Sequence, residues 1–302
     1  DGKLVAAGYC YNGSNVDFCL ARYNTNGSLD ASFGNNGTVV TAIGSGDDNA
    51  NALTLQPDGK LVAAGTCAAG SNTSFCLARY NANGSLDTSF NGSGTVVTPA
   101  GSGYDYGYAL AVQADGKLVA IGSCYNGSNY DFCLVRYNAN GGLDTSFNGS
   151  GKVVTVIGSS HDNAYALAVQ PDRKLVVAGA CWNGSNNDFC LARYNADGSL
   201  DTGFNASGKL MTPIGNGADF AYALAVQPDG KLVAAGTCQN SGNNYDFCLA
   251  RYNADGSLDA SLNASGKLMA PIGADFDFAY ALALQPDGKL VAAGACANGS
   301  NN

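Results

Sequence analysis

The chain has 302 residues, 41 of them Gly, and a net charge of −9 from 24 acidic and 15 basic residues, the acids all being Asp. That excludes long helices, whose interiors draw on Glu, Lys, Leu and Ala and disfavour Gly. Hydrophobic content of 46% against 13% charged excludes a disordered chain. No apolar run reaches the length of a membrane span, and the acid excess argues against nucleic acid and anionic lipid as partners.

The first strand-like run is Lys3–Cys10, closed by an Asn12–Asn15 turn and followed by Asp17–Asn24, where Phe18, Leu20 and Arg22 alternate with Cys19, Ala21 and Tyr23. An Asn-x-Asn-Gly connection, Asn24–Gly27, leads to a third run, Gly37–Gly44, and then to a fourth, Ala50–Gln56. Gln56-Pro-Asp-Gly-Lys60 combines a fixed φ at Pro with Asp-Gly, the signal of a tight antiparallel hairpin. After it the pattern starts again. The segment at Asp1 recurs from Asp58, Asp115, Asp172 (with Arg173 in place of Gly), Asp229 and Asp287, at spacings of 57, 57, 57, 57 and 58.

A constant period of this length marks a repeat architecture in which each unit covers its neighbour. Four strands in hairpin order per period predict an all-β fold, a β-propeller of four-stranded antiparallel blades with five full repeats and a partial sixth, as one array over residues 1–302 within a longer chain. The fourth run alternates small and larger residues, as in Tyr108–Gln113, and is assigned to the innermost position. The Lys-Leu-Val, Arg-Tyr-Asn and Thr-Val-Val runs follow outward. With this order the last inner strand is free to complete the first blade, which leaves Lys289–Cys296 over, to meet further blades or another copy. The rival is a parallel β-solenoid, whose rungs lack tight Asp-Gly hairpins.

Cysteines recur in pairs: Cys10/Cys19, Cys67/Cys76, Cys124/Cys133, Cys181/Cys190 and Cys238/Cys248. Each pair brackets one hairpin loop, so the sulfurs are expected opposite one another on adjacent strands. Metal sites and free thiols are the alternatives. Two Cys are half a zinc site, and the single histidine, His161, cannot complete five. Disulfides are preferred, which implies an oxidising compartment. Cys296 is the odd one, its partner expected past Asn302.

The run Asp-Phe-Cys-Leu-Ala-Arg-Tyr-Asn-x-Asn/Asp-Gly-Ser-Leu-Asp-x-Ser-Phe, with Tyr-Ala-Leu-Ala-x-Gln-Pro-Asp-Gly-Lys-Leu-Val-Ala-Ala-Gly, resembles the delta-60 repeat over all five periods. The resemblance implies a secreted or surface-attached bacterial protein with a propeller-like fold, and carries no catalytic residues. The paired cysteines depart from that family, which usually has small or apolar residues there.

Three constellations could carry chemistry. Asp48, Asp105, Asp162, Asp219 and Asp277 precede the inner strands. In a closed propeller they form a cation ring at the channel mouth; the local alternative is turn capping. Nearby Tyr104, Tyr106, His161, Phe220, Phe276 and Phe278 vary between repeats, as a binding face would. The loop oxygens of Asn195, Asp197, Ser199 and Asp201 suggest calcium, the one cofactor left open, but the distal Glu of an EF-type loop is missing. Arg22, Arg79, Arg136, Arg193 and Arg251 require carboxylates, and the expected partners are Asp30, Asp87, Asp144, Asp201 and Asp259. Trp182, in a hairpin loop, is a weak stacking platform for sugar.

These features point to a non-catalytic, disulfide-stabilised extracellular protein of the bacterial surface, structural or adhesive. Its partners are other copies of itself, joined end to end as a filament, or surface components, with no membrane insertion in this segment. The alternative is a propeller that binds a glycan or cation through its channel-mouth loops.

Overall fold

The computed structural model describes residues 2–297. Asp1, where the first repeat starts, and the residues after 297, where the sixth repeat breaks off, lie outside the described residues. Strands and turns make up these residues, with no helix among them.

The first sheet is β1 (Leu4–Tyr11), β2 (Val16–Tyr23) and β3 (Thr38–Thr41). The second is β4 (Asp48–Leu55), β5 (Leu61–Ala69), β6 (Asn72–Tyr80) and β7 (Thr95–Thr98). The third is β8 (Asp105–Val112), β9 (Leu118–Tyr125), β10 (Tyr130–Tyr137) and β11 (Lys152–Thr155). The fourth is β12 (Asp162–Val169), β13 (Leu175–Trp182), β14 (Asn187–Tyr194) and β15 (Lys209–Thr212). The fifth is β16 (Asp219–Val226), β17 (Leu232–Gln239), β18 (Tyr245–Tyr252) and β19 (Lys267–Ala270). The sixth pairs β20 (Asp277–Leu284) with β21 (Leu290–Cys296). In the four-stranded sheets the spatial order equals chain order, the up-and-down blade of a β-propeller.

The third run of each repeat is shorter than its sequence suggests. β3 holds four residues rather than Gly37–Gly44, because the Ile43 and Gly44 N–H groups leave the ladder and donate to the Asp48 carboxylate at 2.7 and 2.8 Å. The same carboxylate starts the next strand two residues ahead of Ala50.

The chain packs as two compact units, Asp1–Ser128 with Cys133–Val154, and Asn129–Phe132 with Thr155–Asn302. In each, the core lies between successive sheets. In the first unit Phe18, Leu20 and Phe33 pack on Leu61, Ala63 and Tyr80. In the second, Phe189, Leu191 and Phe204 pack on Leu232, Ala234 and Tyr252. In the second to fifth sheets the second strand is therefore buried on both faces, as in Leu175–Cys181, which is why Lys-Leu-Val-Ala-Ala-Gly reads as a continuous small and aliphatic run. Each large apolar side chain covered this way is worth about 1.5–3 kcal/mol.

Every inner strand carries one extra residue. Asn51 falls between the pairs Ala50↔Gly65 and Ala52↔Ala64, and Tyr108, Tyr165, Tyr222 and Tyr280 hold the same place in their strands. The bulge presses the inner strand onto the glycine opposite. A Cβ at Gly65 would lie 1.9 Å from the Asn49 carbonyl oxygen, whereas one at Gly8, on β1, would meet nothing within 4 Å.

Candidate functional site

The strands first position the cysteines. Disulfides link Cys10–Cys19, Cys67–Cys76, Cys124–Cys133, Cys181–Cys190 and Cys238–Cys248, with Cα–Cα distances of 5.6 to 5.8 Å. The partners are not directly opposite: Cys10 faces Asp17 and Cys19 faces Gly8, so each bond runs diagonally over two residues. The hairpin loop sets this register. The fifth repeat keeps the diagonal despite one extra loop residue, with Cys238 facing Asp246 and Cys248 facing Gly236. Cys296 is free and half-buried.

At the other end of the third strand, each arginine meets the expected aspartate. Arg22–Asp30, Arg79–Asp87, Arg136–Asp144, Arg193–Asp201 and Arg251–Asp259 lie at 2.6 to 2.8 Å. Sequence reasoning missed two further members. In each of the five full repeats the lysine two residues after the turn aspartate reaches the same carboxylate, as in Lys3–Asp30 at 2.7 Å and Lys174–Asp201 at 2.8 Å. The guanidinium also lies over an aromatic ring, 4.5 Å from Phe33 and Phe90, 4.3 Å from Phe147 and 4.7 Å from Phe204. Lys3 and Ser32 hold the Asp30 carboxyl well below the usual carboxylate range. Burial alone would raise Asp87, but Lys60 and Ser89 outweigh it and keep it low. In these locks each carboxylate is held by two cations, so none is left over.

Of the two readings of the aspartates ahead of the inner strands, a cation ring at a channel mouth or a local turn cap, their placement matches the local one. Asp48, Asp105, Asp162, Asp219 and Asp277 are fully buried. Each accepts backbone N–H groups four and five residues upstream: Ile157 at 2.6 Å and Gly158 at 3.0 Å for Asp162, Ile214 at 2.7 Å and Gly215 at 3.0 Å for Asp219. They cap their own loops from within, pairing upstream N–H groups that would otherwise be buried without an acceptor.

A second set of carboxylates stands beside them, unremarked in the sequence although it is the Asp of each Asp-Phe-Cys. Asp17, Asp131, Asp188 and Asp246 are buried, while the second repeat has Ser74 there. Asn12 donates to Asp17 at 2.6 Å and Asn183 to Asp188 at 2.7 Å. Burial pushes Asp162 and Asp219 up to about 6, and the charges of Asp131 and Asp188 add to the rise.

The calcium-type loop in the fourth repeat spends its oxygens internally. Asp197 accepts the Ser199 N–H at 3.0 Å and hydroxyl at 2.6 Å, an Asx turn, and Asp201 belongs to the Arg193–Lys174 lock. Among the described residues no three His, Cys or Asp side chains converge as metal ligands.

The variable residues form aromatic contacts. Tyr106 stacks on Tyr108 with centroids 6.4 Å apart, and Phe220 and Phe278 stack on Tyr222 and Tyr280 at 6.1 and 5.9 Å. Tyr245 sits 6.0 Å from Phe276 and 5.9 Å from Phe278. Tyr104 is exposed. His161 accepts the Tyr130 N–H on Nδ1 at 3.2 Å. Trp182 ends β13, half-buried, rather than standing out in the loop; its backbone N–H donates to the His161 carbonyl and its carbonyl accepts the Ser159 backbone N–H. The glycine inside each Val-Ala-Ala-Gly run was the available signal for the bulge that aims these tyrosines, since a strand-interior glycine marks a bulge or close backbone approach.

Fold and site together define a repeat β-propeller with disulfide-clamped blades. The chain belongs to the DUF5122 β-propeller family, a domain of unknown function, which matches it over residues 1–33, 56–90, 113–147, 170–204 and 227–262. No curated protein matches the sequence. Among solved structures, the chain is similar to a protein from Lactobacillus plantarum at 14% identity and a TM-score of 0.54, covering 97% of this chain and 81% of that one. It is also similar to a protein of unknown function from Dyadobacter fermentans, at 11% identity and a TM-score of 0.49, covering 89% and 79%. A gluconolactonase from Xanthomonas campestris aligns at 14% identity and a TM-score of 0.44, covering 91% and 79%. At these identities the likeness is one of fold.

Proposed function

We propose that the protein is a non-catalytic structural and adhesive repeat protein of the bacterial exterior, whose copies join end to end. One observation carries this reading: within each unit the contact between successive sheets is a single interface used repeatedly. In the first unit Tyr80 donates to Thr41 and Tyr137 to Thr98, both at 2.9 Å. In the second, Tyr194 donates to Thr155 at 2.9 Å and Tyr252 to Thr212 at 3.0 Å. Lysines add the same tie to a preceding carbonyl, Lys209 to Val156 at 2.8 Å and Lys267 to Pro213 at 2.7 Å. A self-matching interface of this kind is suited to head-to-tail growth, which generates open filaments when the rotation does not close.

The first sheet and the loop that leads into the last sheet offer apolar surface for it. Leu4 is 69% exposed and Ile272 is 60% exposed. Five disulfides support an oxidising environment outside the cell. The resemblance to delta-60 repeats supports secretion or surface attachment, with other copies or surface components as partners. Sedimentation velocity across a concentration series, with electron microscopy of the same samples, tests the reading. Fibres or a concentration-dependent ladder are expected, and Leu4→Asp with Ile272→Asp should abolish them. A single-copy species at every concentration refutes it.

A further inference from the structure

The second strands of the sheets are not all covered alike. β5, β9, β13 and β17 each lie between an inner strand and a third strand. β1 carries the same Leu-Val-Ala-Ala-Gly run but pairs with β2 alone. Among the described residues its other edge, Leu4–Tyr11, makes no backbone hydrogen bond to a further strand. A bare edge of this kind is a template for an added strand.

The edge is shaped for an inner strand in particular. Gly8 holds the place of Gly65, Gly122, Gly179 and Gly236, where an added Cβ would lie 1.8 or 1.9 Å from a carbonyl oxygen of the bulged inner strand; at Gly8 it would meet nothing within 4 Å. Leu4 is 69% exposed, whereas Leu61, at the same position of β5, is 5% exposed. Beside the edge opens a cavity of about 480 Å³, with Val5, Leu53, Leu55 and Leu61 among its lining residues. Lys3 and Arg22 also line it, but both are held by Asp30, so the cavity offers no uncommitted charge and suits an uncharged, aliphatic strand.

The chain itself supplies such a strand. In the complete sheets the inner strand turns small residues toward the next sheet, and Ala166 and Ala223 are buried there. β20 has the same sequence pattern, yet its Ala281 and Ala283 are exposed. Its ladder to β21 has seven residue pairs and no disulfide, Cys296 being free. β1 is tied to β2 by eight pairs and by the Cys10–Cys19 bond. When β20 of one copy meets β1 of another, β21 is therefore the strand that yields. One ladder is exchanged for another of the same register, and the gain is the apolar surface covered at the cavity.

We propose that the free edge of β1 is a strand-acceptor site and that its occupant is β20 of a second copy, added antiparallel with Asp277 opposite Cys10, Ala279 opposite Gly8 and Leu284 opposite Leu4. This names the contact behind end-to-end joining and rests on that reading. The exchange completes the first sheet to four strands and frees β21, which exposes the Cys296 thiol.

Fluorescence anisotropy of a labelled peptide with the sequence Asp277–Gln285, titrated with the intact chain, tests the proposal. The peptide should bind with a Kd below about 1 mM, and a scrambled peptide of the same composition should not. Gly8→Ala, which builds a clash against the incoming strand and none within the copy, should weaken binding by roughly tenfold or more with an unchanged melting curve. Maleimide labelling of Cys296 should accelerate with protein concentration in the parent and not in Gly8→Ala. No binding, equal binding of the scrambled peptide, or equal binding by Gly8→Ala overturns the acceptor site. Fibres that persist in Gly8→Ala overturn this contact and leave end-to-end joining standing. Peptide binding by a chain that stays a single copy at every concentration overturns β20 of a second copy as the occupant, together with the filament reading.

Discussion

Replacing Gly179 by Ala is the sharpest perturbation of the blade. A Cβ there would sit 1.8 Å from the Asn163 carbonyl oxygen and 3.0 Å from the Ala164 Cα, both backbone atoms that cannot rotate away. Relief to a normal C···O contact of roughly 3.3 Å requires β12 and β13 to part by about 1.5 Å. That movement breaks about three ladder hydrogen bonds at about 1 kcal/mol each, for a total of about 3 kcal/mol. For a cooperative unit of about 150 residues, 1 kcal/mol corresponds to roughly 2–4 °C, so Tm should fall by about 6–12 °C. Gly8→Ala is the internal control, because the same sequence position in β1 has nothing within 4 Å of the added carbon. Thermal unfolding followed by circular dichroism reads both. Equal melting temperatures for the two variants would show that the bulge does not press on the glycine as described.

Three further outcomes are expected. Asp162 and Asp219 have folded pKa values raised to about 6, so the stability they contribute is fully present below the unfolded value of about 3.9 and is lost as pH rises through 6. The lock aspartates, such as Asp30 and Asp87, are depressed, and their contribution is present above about 4 and lost in stronger acid. Denaturant midpoints should therefore peak between about pH 4 and 6, and a steady decline from pH 8 to pH 4 would contradict the buried carboxyl pairs. Removing one clamp, as in Cys67→Ala with Cys76→Ala, should lower stability by about 2–3 kcal/mol on the loop-entropy account, measured by the midpoint in guanidinium; no change would mean that the hairpin is already closed in the unfolded chain. Arg173 holds φ at 70° in the turn where the other repeats have glycine, so Arg173→Gly should raise stability by about 0.5–1 kcal/mol, and a loss would show that the arginine side chain is held by something stronger than its turn strain.

Much of the blade was legible because its signals are local. Pro-Asp-Gly and Asn-Gly-Ser mark hairpins, and hairpin order in chain order leaves one way to build the sheet. The arginine–aspartate pairs followed from an arginine on a buried strand and a carboxylate eight residues on. What the sequence hid depends on partners outside the hairpin. Lys3 lies 27 residues from Asp30 and reaches it only because the outer connection folds back over the sheet. For Asp48 the sequence left a channel ring and a turn cap both open; it caps a turn, but its backbone donors lie four and five residues upstream rather than two residues on. The diagonal set of each disulfide follows from loop register, which a nine-residue spacing does not reveal. The tyrosine bulges left a trace, the glycine opposite them, but its meaning emerges only when the inner strand is seen lying against it.

The central claim is that each module closes on itself as a hairpin-ordered blade, and disulfide connectivity reports that directly. Proteolysis of the unreduced protein followed by mass spectrometry should yield linked peptides for Cys10–Cys19, Cys67–Cys76, Cys124–Cys133, Cys181–Cys190 and Cys238–Cys248. Linked peptides joining cysteines of different repeats would contradict the strand pairing on which the account rests.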